Sequence, residues 1–391
     1  MERNRVLIVD DDARIGRIIK RVATSLEVES SVIDDPELFE SAYLTFQPNI
    51  VFMDLQMPRS DGIELLRWLG TIGSKASIVL MSGMDKSVVA TALELGKSLN
   101  LNMGSSLNKP VDVDDLKSLL INKTHAWERE NQGAITLTAM DLRLAIERDE
   151  FVVHYQPKVC FRTGQVCGAE ALVRWQHPEY GIIFPDSFIP IAEKDHNLIG
   201  PLTYKVLETA VEDYRRLKSK DGEISLSINL SAKLLGDLAL PDEIERLLDL
   251  HQFEPHLLML EVTESVAMED PSLTMDVLTR LRLKNVNLAL DDFGTGFSSL
   301  VQLYRMPFNE LKVDKSFVMR AMTDREAAEI CRVTIDLGHS LGLDVVAEGV
   351  EDKDTYDWLK SLGCEVCQGY FVSKPLDASA FETWMVDFKE Y

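Results

Sequence analysis

Cysteine, long apolar runs and positive charge are scarce in this sequence, and each scarcity excludes a class of protein. The 391 residues include five cysteines, which do not make the paired framework of a disulfide-stabilised secreted domain. No run approaches the 18 apolar residues of a membrane-spanning helix. A strand-like run already starts at Arg5, which leaves no room for a signal peptide. We therefore expect a cytoplasmic protein without membrane segments.

The charge balance argues against nucleic-acid binding. The chain holds 41 Lys and Arg against 64 Asp and Glu, a formal net charge of −23, and most of this excess lies beyond residue 125. Such a surface repels a phosphate backbone, and no basic helix offsets the repulsion. We expect no DNA binding, and a polyanionic ligand would need a local site with cations or a few placed Lys and Arg.

The order of apolar runs predicts the fold of the first domain. The length predicts two or three domains. Over residues 5–121, helical periods separate five short strand-like runs, which read RVLIVD, VESSVID, NIVFMD, SIVLMS and, more weakly, MGSSLNK. This alternation is typical of a doubly wound α/β fold with a five-stranded parallel sheet. Functional side chains of such sheets gather at the carboxyl ends of the strands.

Polar residues follow these strands. The first strand ends in Asp10, Asp11 and Asp12, the third in Asp54 and the fourth in Ser82, while Lys109 follows the fifth. Carboxylates at one edge of a sheet suit a hard divalent cation such as Mg2+, and a lysine can neutralise a phosphoryl group on an aspartate. The pattern predicts an aspartyl-phosphate pocket; the alternative is a flavodoxin-like domain whose acids have no such role.

The segments VLIVDDD, FMDLQMPRSDG, LMSG and LNKP resemble the receiver domain of two-component response regulators. The resemblance implies that Asp54 accepts phosphate from a sensor histidine kinase. It also implies that Asp10 and Asp11 bind one Mg2+, and that Ser82 and Lys109 contact the phosphoryl group.

One residue departs from the receiver pattern. Receivers usually carry an aromatic switch residue three positions before the lysine, and Ser106 occupies that place here. Phosphorylation is then sensed by another route, or the domain is partly degenerate. From these motifs we predict a receiver domain over residues 1–124, a linker over 125–136 and a second domain over 137–391.

The second domain begins with an antiparallel pair. The runs FVVHYQPKV and QVCGAEALVRW are joined by a short turn, which forces the two strands to run in opposite directions. Six further runs follow, several of them separated by helical segments: ISLSINLS, LLMLEVTES, VNLALDDFG, ELKVDKSF, DVVAEGVE and EVCQGYFV. Eight strands in this order predict a (β/α)8 TIM-like barrel with one antiparallel strand.

Seven successive strands of this barrel carry polar residues near their carboxyl ends, where such barrels hold their active sites. Oxygen ligands without His or Cys favour Mg2+, Mn2+ or Ca2+ over zinc. Two ions about 3.5–4 Å apart can hold the attacking and leaving oxygens of a phosphodiester. The residues are Glu170, Asn229, Glu261, Asp291 with Asp292, Lys312, Glu348 and Gln368.

The segments EALVRW, NLS, EVTES, DDFGTGFSSL, KVDKSF, EGVE and QGYFVSKP resemble the EAL family of cyclic-di-GMP phosphodiesterases, over about residues 137–388. The resemblance implies metal-dependent hydrolysis of cyclic di-GMP to linear pGpG, modulated by phosphorylation of Asp54. It also implies a homo-oligomer, either a dimer through the EAL domains or a tetramer. The alternative is a catalytically weak sensor that binds cyclic di-GMP and signals through protein contacts.

The EAL resemblance also implies residue roles, and the general base stays open. Two Mg2+ or Mn2+ ions are implied, the first on Glu170, Asn229, Glu261 and Asp291 and the second on Asp291 and Asp292. The implied catalytic residues are Glu170, Lys312, which holds the attacking water, and Glu348, which is the general base or its support. The implied substrate-binding or supporting residues are Gln156, Leu172, Arg174, Asp314, Glu351 and Gln368. Glu264 anchors the glycine loop at residues 293–299.

Overall fold

The structure is a computed structural model that describes residues 4–26, 28–83, 86–109, 137–217, 223–264, 271–294 and 300–388, with positions 111, 113, 116, 117, 119 and 120. The chain divides into two compact units, Met1–Ile135 and Thr136–Tyr391. None of the described helices combines the length and the apolar character that crossing a bilayer requires. The predicted linker at 125–136 lies outside the described residues.

The first unit contains the predicted five-stranded parallel sheet, in the order β2-β1-β3-β4-β5. Its strands are β1 Arg5–Val9, β2 Glu29–Ile33, β3 Ile50–Asp54, β4 Ser77–Ser82 and β5 Asn102–Asn108. Its described helices span Ala13–Ser25, Phe39–Phe46, Gly62–Thr71 and Lys86–Ser98. The prediction of a doubly wound fold is confirmed.

The central strands of this sheet are buried on both faces, which explains their continuous apolar sequence. Leu7 and Val9 of β1 belong to one apolar cluster, whereas Val6 and Ile8 belong to another. Successive side chains of a strand point to opposite faces. The two clusters therefore lie on the two sides of the sheet, and polar residues are displaced to the strand ends.

The second unit contains a closed ring of eight strands in the order β6-β14-β13-β12-β11-β10-β9-β7, with β7 also paired to β6. Strand β6 is antiparallel to both neighbours, and the other pairs of the ring are parallel. This confirms the predicted barrel with one antiparallel strand. The strands are β6 Phe151–Cys160, β7 Val166–His177, β9 Ser225–Asn229, β10 Leu258–Thr263, β11 Asn287–Phe293, β12 Glu310–Val313, β13 Asp344–Ala347 and β14 Val366–Gln368.

Two short strands and ten described α-helices complete this unit. The strands β8 Gly181–Ile183 and β15 Leu376–Asp377 pair with β7 and β6. The helices span Ala139–Glu147, Pro185–Ala192, His196–Leu217, Leu240–His251, Pro271–Leu283, Leu300–Arg305, Lys315–Val318, Arg325–Leu341, Lys353–Ser361 and Ala378–Asp387.

Several strands are shorter than the sequence predicted, for local reasons. The run at 310–317 stops being a strand at Val313 because Asp314 caps the helix Lys315–Val318, accepting a hydrogen bond from Ser316 N at 2.9 Å. The run at 365–372 stops at Gln368. A Cβ on Gly369 would lie 2.1 Å from the carbonyl oxygen of Val350, so glycine lets the strand end pack against the turn after β13.

Candidate active site

Lys312 on β12 is surrounded by four carboxylates from different parts of the barrel. Its side chain is 0% exposed, and its Nζ lies 2.5 Å from Glu261, 2.6 Å from Glu348, 3.1 Å from Asp291 and 3.9 Å from Glu170. Burial by itself would lower the pKa of Lys312, but these carboxylates raise it well above its ordinary value. The lysine is therefore a permanent positive charge inside the barrel.

Glu170 on β7 is held by amide groups from two other strands. Asn229 Nδ2 donates to its Oε1 at 2.8 Å, and Gln368 Nε2 donates to its Oε2 at 2.5 Å. Gln368 Nε2 also lies 3.2 Å from Gln156 Oε1. This arrangement leaves the Asn229 side-chain oxygen available as a ligand. The structure thus joins four of the predicted residues in one hydrogen-bonded chain.

Asp291 and Asp292 reach the same side of the barrel because β11 is irregular between them. Neighbouring side chains of a regular strand point to opposite faces. Here the pairing of β11 with β12 shifts register between Leu290 and Phe293, and Asp292 has a φ of 54°. A bulge with a left-handed residue re-aims a side chain. One ligand oxygen each from Asp291, Asp292 and Glu348 consequently lies within 4.8 Å of the other two.

These closely spaced carboxylates repel one another. Burial, followed by the charges of Asp291 and Asp314, raises the pKa of Asp292 to about 6. Burial also raises the pKa of Glu348 to about 8, since the charges of Asp291, Glu170 and Glu261 add to it and only Lys312 opposes it. An all-oxygen site that resists ionisation on its own is electrostatically suited to a divalent cation.

Glu264 connects the end of β10 to the segment after the two aspartates. Its side chain is 2% exposed, and its Oε2 accepts a hydrogen bond from Gly294 N at 2.9 Å. This contact is the one expected of a loop anchor. Residues 295–299 of the predicted glycine loop lie outside the described residues.

The predicted substrate-binding residues are not all brought together. Leu172, Asn229 and Asp292 line a cavity of about 440 Å³, much of whose wall comes from the helices at 185–192 and 196–217. Arg174 is 7% exposed, and its guanidinium lies 5.1 Å from the ring centre of Phe184. Glu351 is exposed in the turn after β13, and none of the described contacts joins it to the carboxylate network.

Sequence reasoning missed a second buried lysine. Lys158 on β6 is 2% exposed, and its Nζ lies 2.8 Å from Glu261 Oε1, 2.8 Å from Ser227 Oγ and 3.3 Å from Glu310 Oε1. The signal was its position two residues after Gln156, which puts both side chains on the same face of the strand. Glu310 lies two residues before Lys312 on β12, so these two side chains also share one face of their strand.

The first unit has its own pocket of carboxylates around a lysine. Asp54 and Asp10 are 3% and 0% exposed, and Lys109 Nζ lies 2.6 Å and 2.8 Å from their carboxylates. Asp10, Asp11 and Asp54 each offer an oxygen within 4.8 Å of the others. Burial raises the pKa of Asp10, an effect that Lys109 opposes. The predicted phosphoacceptor, metal ligands and lysine therefore lie together.

Three further polar residues of the first unit, Ser82, Ser106 and Asp12, differ in burial and in the contacts that they make. Ser82 is 2% exposed at the end of β4, the strand that pairs with β3. Ser106 is exposed on β5, opposite Leu80. Asp12, the third acid of the DDD run, caps the helix Ala13–Ser25 by accepting from Arg14 N at 2.8 Å. Its carboxylate therefore serves a helix end.

Comparisons with known proteins agree with this geometry. The EAL domain family matches residues 139–375, and the response regulator receiver domain matches residues 6–121. The chain is 30% identical over 382 residues to the cyclic di-GMP phosphodiesterase RocR of Pseudomonas aeruginosa, covering 96% of this chain and 97% of that protein. It is also 41% identical over 239 residues to the bifunctional diguanylate cyclase/cyclic di-GMP phosphodiesterase MucR of the same organism, covering 61% of this chain and 35% of MucR.

A solved structure extends the likeness to three dimensions. The MucR phosphodiesterase in complex with c-di-GMP superimposes with a TM-score of 0.58 at 41% sequence identity. The match covers 61% of this chain and 97% of that structure.

Proposed function

Because this chain belongs to the EAL domain family and also carries a response regulator receiver domain, we propose that it is a response regulator whose output is the hydrolysis of cyclic di-GMP to linear pGpG. The observation that carries this proposal is the fully buried Lys312 among four carboxylates. The likeness to RocR supports it, since that likeness extends over nearly the whole length of both chains.

The hydrolytic site takes two divalent cations, Mg2+ or Mn2+, in this proposal. The first is held by Glu170, Asn229, Glu261 and Asp291, and the second by Asp291 and Asp292. The raised pKa of Asp292 supports the assignment, because crowded anions gain from a cation. When bound, such ions polarise a phosphoryl oxygen and lower the pKa of a coordinated water.

Lys312 positions the attacking water, and Glu348 accepts its proton. An ammonium has three N–H donors, and in the present arrangement Lys312 directs them at carboxylates. Once Glu261 and Asp291 act as metal ligands, Lys312 can donate to a water molecule instead. Cations on the neighbouring carboxylates would offset the negative charges that raise the pKa of Glu348. Glu348, 2.6 Å from Lys312 Nζ, can then accept the proton of that water as general base. The water oxygen attacks phosphorus, one P–O bond breaks, and the leaving oxygen takes a proton, which gives linear pGpG.

The remaining predicted residues bind the nucleotide or support the site. Arg174 offers a guanidinium to a phosphate, a strong charged hydrogen-bond donor. Gln156, Leu172 and Glu351 contact guanine, while Asp314 and Gln368 support the site. The cavity beside Leu172 and Asn229 has room of about 440 Å³ and an apolar wall, which suits a base.

The receiver supplies control. Asp54 takes a phosphoryl group from a sensor histidine kinase, Asp10 and Asp11 hold one Mg2+, and Ser82 and Lys109 contact the phosphoryl oxygens. Phosphorylation raises the rate of the barrel site. The proposed boundaries are 1–124 for the receiver, 125–136 for a linker and 137–391 for the hydrolase. The protein acts in the cytoplasm as a homo-oligomer, a dimer through its EAL domains or a tetramer.

The test is a chromatographic assay of the purified chain with cyclic di-GMP and Mg2+. We expect pGpG from the wild type, no product with a chelator, and at least a 100-fold loss in Glu170→Ala, since a metal ligand is removed. Glu179→Ala, which changes an exposed glutamate in the turn after β7, is the matched control. Tight nucleotide binding without product from the wild type would contradict hydrolysis and make the chain a sensor.

A further inference from the structure

Beneath the proposed hydrolytic site lies a layer of buried charge that the mechanism above does not use. Lys158 on β6 and Glu310 on β12 are 2% and 8% exposed, and Ser227 on β9 is 1% exposed. Ser227 and Glu310 lie two residues before Asn229 and Lys312 on parallel strands of the ring. Lys158 lies two residues after Gln156 on β6, which runs in the opposite direction. Strand periodicity therefore stacks this lower layer directly against the site.

Every donor of Lys158 is engaged. Its three N–H groups face three acceptors, namely Ser227 Oγ at 2.8 Å, Glu261 Oε1 at 2.8 Å and Glu310 Oε1 at 3.3 Å. A fully buried ammonium with all its donors satisfied on three different strands has one available position. The side chain is thus fixed relative to the barrel wall.

Glu261 is consequently divided between two lysines. Its Oε1 faces Lys158 from below at 2.8 Å, and its Oε2 faces Lys312 at 2.5 Å. The carboxylate cannot rotate without breaking the contact to Lys158. Only Oε2 lies on the side of Lys312, Asp291 and Glu348, where the cations of the proposed site belong.

Stability alone does not account for this arrangement. A buried ion pair often contributes no more than apolar residues of the same size, because desolvation of both charges cancels their attraction. Partners that hold a metal ligand in place, in contrast, change metal affinity strongly when they are removed. The observed geometry matches the second case, since the lysine contacts a proposed ligand through the oxygen that faces away from the site.

We infer that Lys158 is a positioning residue of the hydrolytic site, which fixes Glu261 through Oε1 so that Oε2 alone is presented to the cation. This inference rests on the proposed metal-dependent function. Glu310 balances the charge of Lys158, and Ser227 fixes its direction. Lys158 contacts Glu261 from the layer below the proposed cations, so its effect passes through Glu261.

The test compares Mn2+ binding by the full-length wild type and the double variant Lys158→Met with Glu310→Gln, without nucleotide, from the electron paramagnetic resonance signal of free Mn2+. The double change removes one positive and one negative charge, so the barrel keeps its charge balance. Glu170→Ala identifies which part of the binding belongs to the barrel. We expect the dissociation constant of the barrel site to rise about 10- to 100-fold.

Two further measurements separate positioning from general damage. Turnover of the double variant should recover to within a few-fold of the wild type at saturating Mn2+, because a displaced ligand is compensated by mass action. Lys284→Met, which removes a lysine paired with Asp242 and Glu245 outside the barrel interior, should bind Mn2+ like the wild type. An unchanged dissociation constant in the folded double variant would overturn the inference, as would a rate loss that saturating Mn2+ does not restore.

A milder variant covers the case in which the double variant does not fold. Ser227→Ala removes one of the three acceptors of Lys158 without changing charge, and we expect a rise of a few-fold in the same dissociation constant. A wild-type value in Ser227→Ala would contradict the inference. If the wild type binds Mn2+ in the barrel but yields no pGpG, the proposed hydrolysis fails, and the dissociation constants still decide the role of Lys158.

Discussion

The receiver pocket and the barrel site both place a lysine among buried carboxylates, yet the two lysines differ in their exposure to water. Lys109 is 19% exposed and contacts two carboxylates, Asp10 and Asp54. Lys312 is 0% exposed and has four within 4 Å. Charges near water interact weakly, whereas enclosed charges interact strongly over the same distance.

This difference matches the two proposed tasks. In the proposal, a phosphoryl group on Asp54 arrives from another protein and leaves again, which suits a pocket whose lysine is partly exposed. A hydrolytic site must hold its groups in one arrangement through many turnovers, and it gains from preorganised charge that solvent does not screen. Under this proposal, similar residue types give a transient modification site in one unit and a fixed electrostatic site in the other.

Removal of each lysine is the largest expected perturbation. Lys312→Met leaves four carboxylates without their central cation, so we expect metal-free protein to lose about 3–5 kcal/mol of unfolding free energy and turnover to fall about 10²–10³-fold. Lys109→Met leaves two carboxylates without their lysine and should cost less stability, because Lys109 contacts fewer carboxylates and is itself partly exposed. Urea unfolding in the presence of a chelator measures the stability of the two variants, and the pGpG assay measures their turnover. Equal stability losses in Lys312→Met and Lys109→Met would contradict the difference between the two sites.

The pH dependence of metal-free stability is the next largest effect. The pKa values of Asp292 and Glu348, about 6 and 8, lie above the ordinary carboxyl values of about 4. The folded chain thus binds these protons more tightly than the unfolded chain, so this stabilisation is complete below about pH 4 and is lost as the pH rises through 6 and 8. We expect the melting temperature with a chelator to fall by a few degrees from pH 5 to pH 8, and Mg2+ to restore it.

Asp292→Asn should flatten this pH dependence, because it removes one of the crowded charges. Asp249→Asn, a change at an exposed aspartate on the helix Leu240–His251, is the control and should leave the slope unchanged. A melting temperature that rises over the same pH range in both variants and the wild type would contradict the assignment.

Phosphorylation of the receiver is expected to have the smallest effect. We predict that an acyl-phosphate donor raises wild-type turnover a few-fold and leaves Asp54→Asn unchanged, because only the wild type has the acceptor carboxylate. The exposed Ser106 stands where receivers usually carry their aromatic switch residue, which favours a modest response. Equal rates for the treated wild type and Asp54→Asn would exclude this control.

Most of the fold could be predicted from the sequence because local residue patterns identify the strands. The buried runs at 50–54 and 77–82 are continuous and apolar, and the antiparallel turn at 161–165 fixes the direction of β6. Strand ends were less predictable. They depend on contacts from elsewhere in the chain, such as the packing of Gly369 against Val350.

Some residues of the candidate site could likewise be predicted from the sequence, and others could not. Glu170, which lies within β7, and Glu348, which follows β13, could be predicted from motif position and barrel geometry. Lys158 was missed because an isolated lysine in a strand reads as a surface residue until the register shows that it faces Glu261. We expected Asp291 and Asp292 to face the same side of the barrel. The cause is a register shift in β11 with a left-handed residue at Asp292, which cannot be inferred without backbone coordinates.

The left-handed backbone conformation of Asp292 sets folding stability against the proposed catalytic activity. Strain at such a non-glycine residue costs on the order of 1–3 kcal/mol, and glycine at this position would relieve it together with a repelling charge. A population selected for heat resistance alone would therefore drift toward glycine here and lose a proposed metal ligand. Aspartate at this point fits the trade-off between stability and activity, in which a less robust fold accompanies the proposed chemistry.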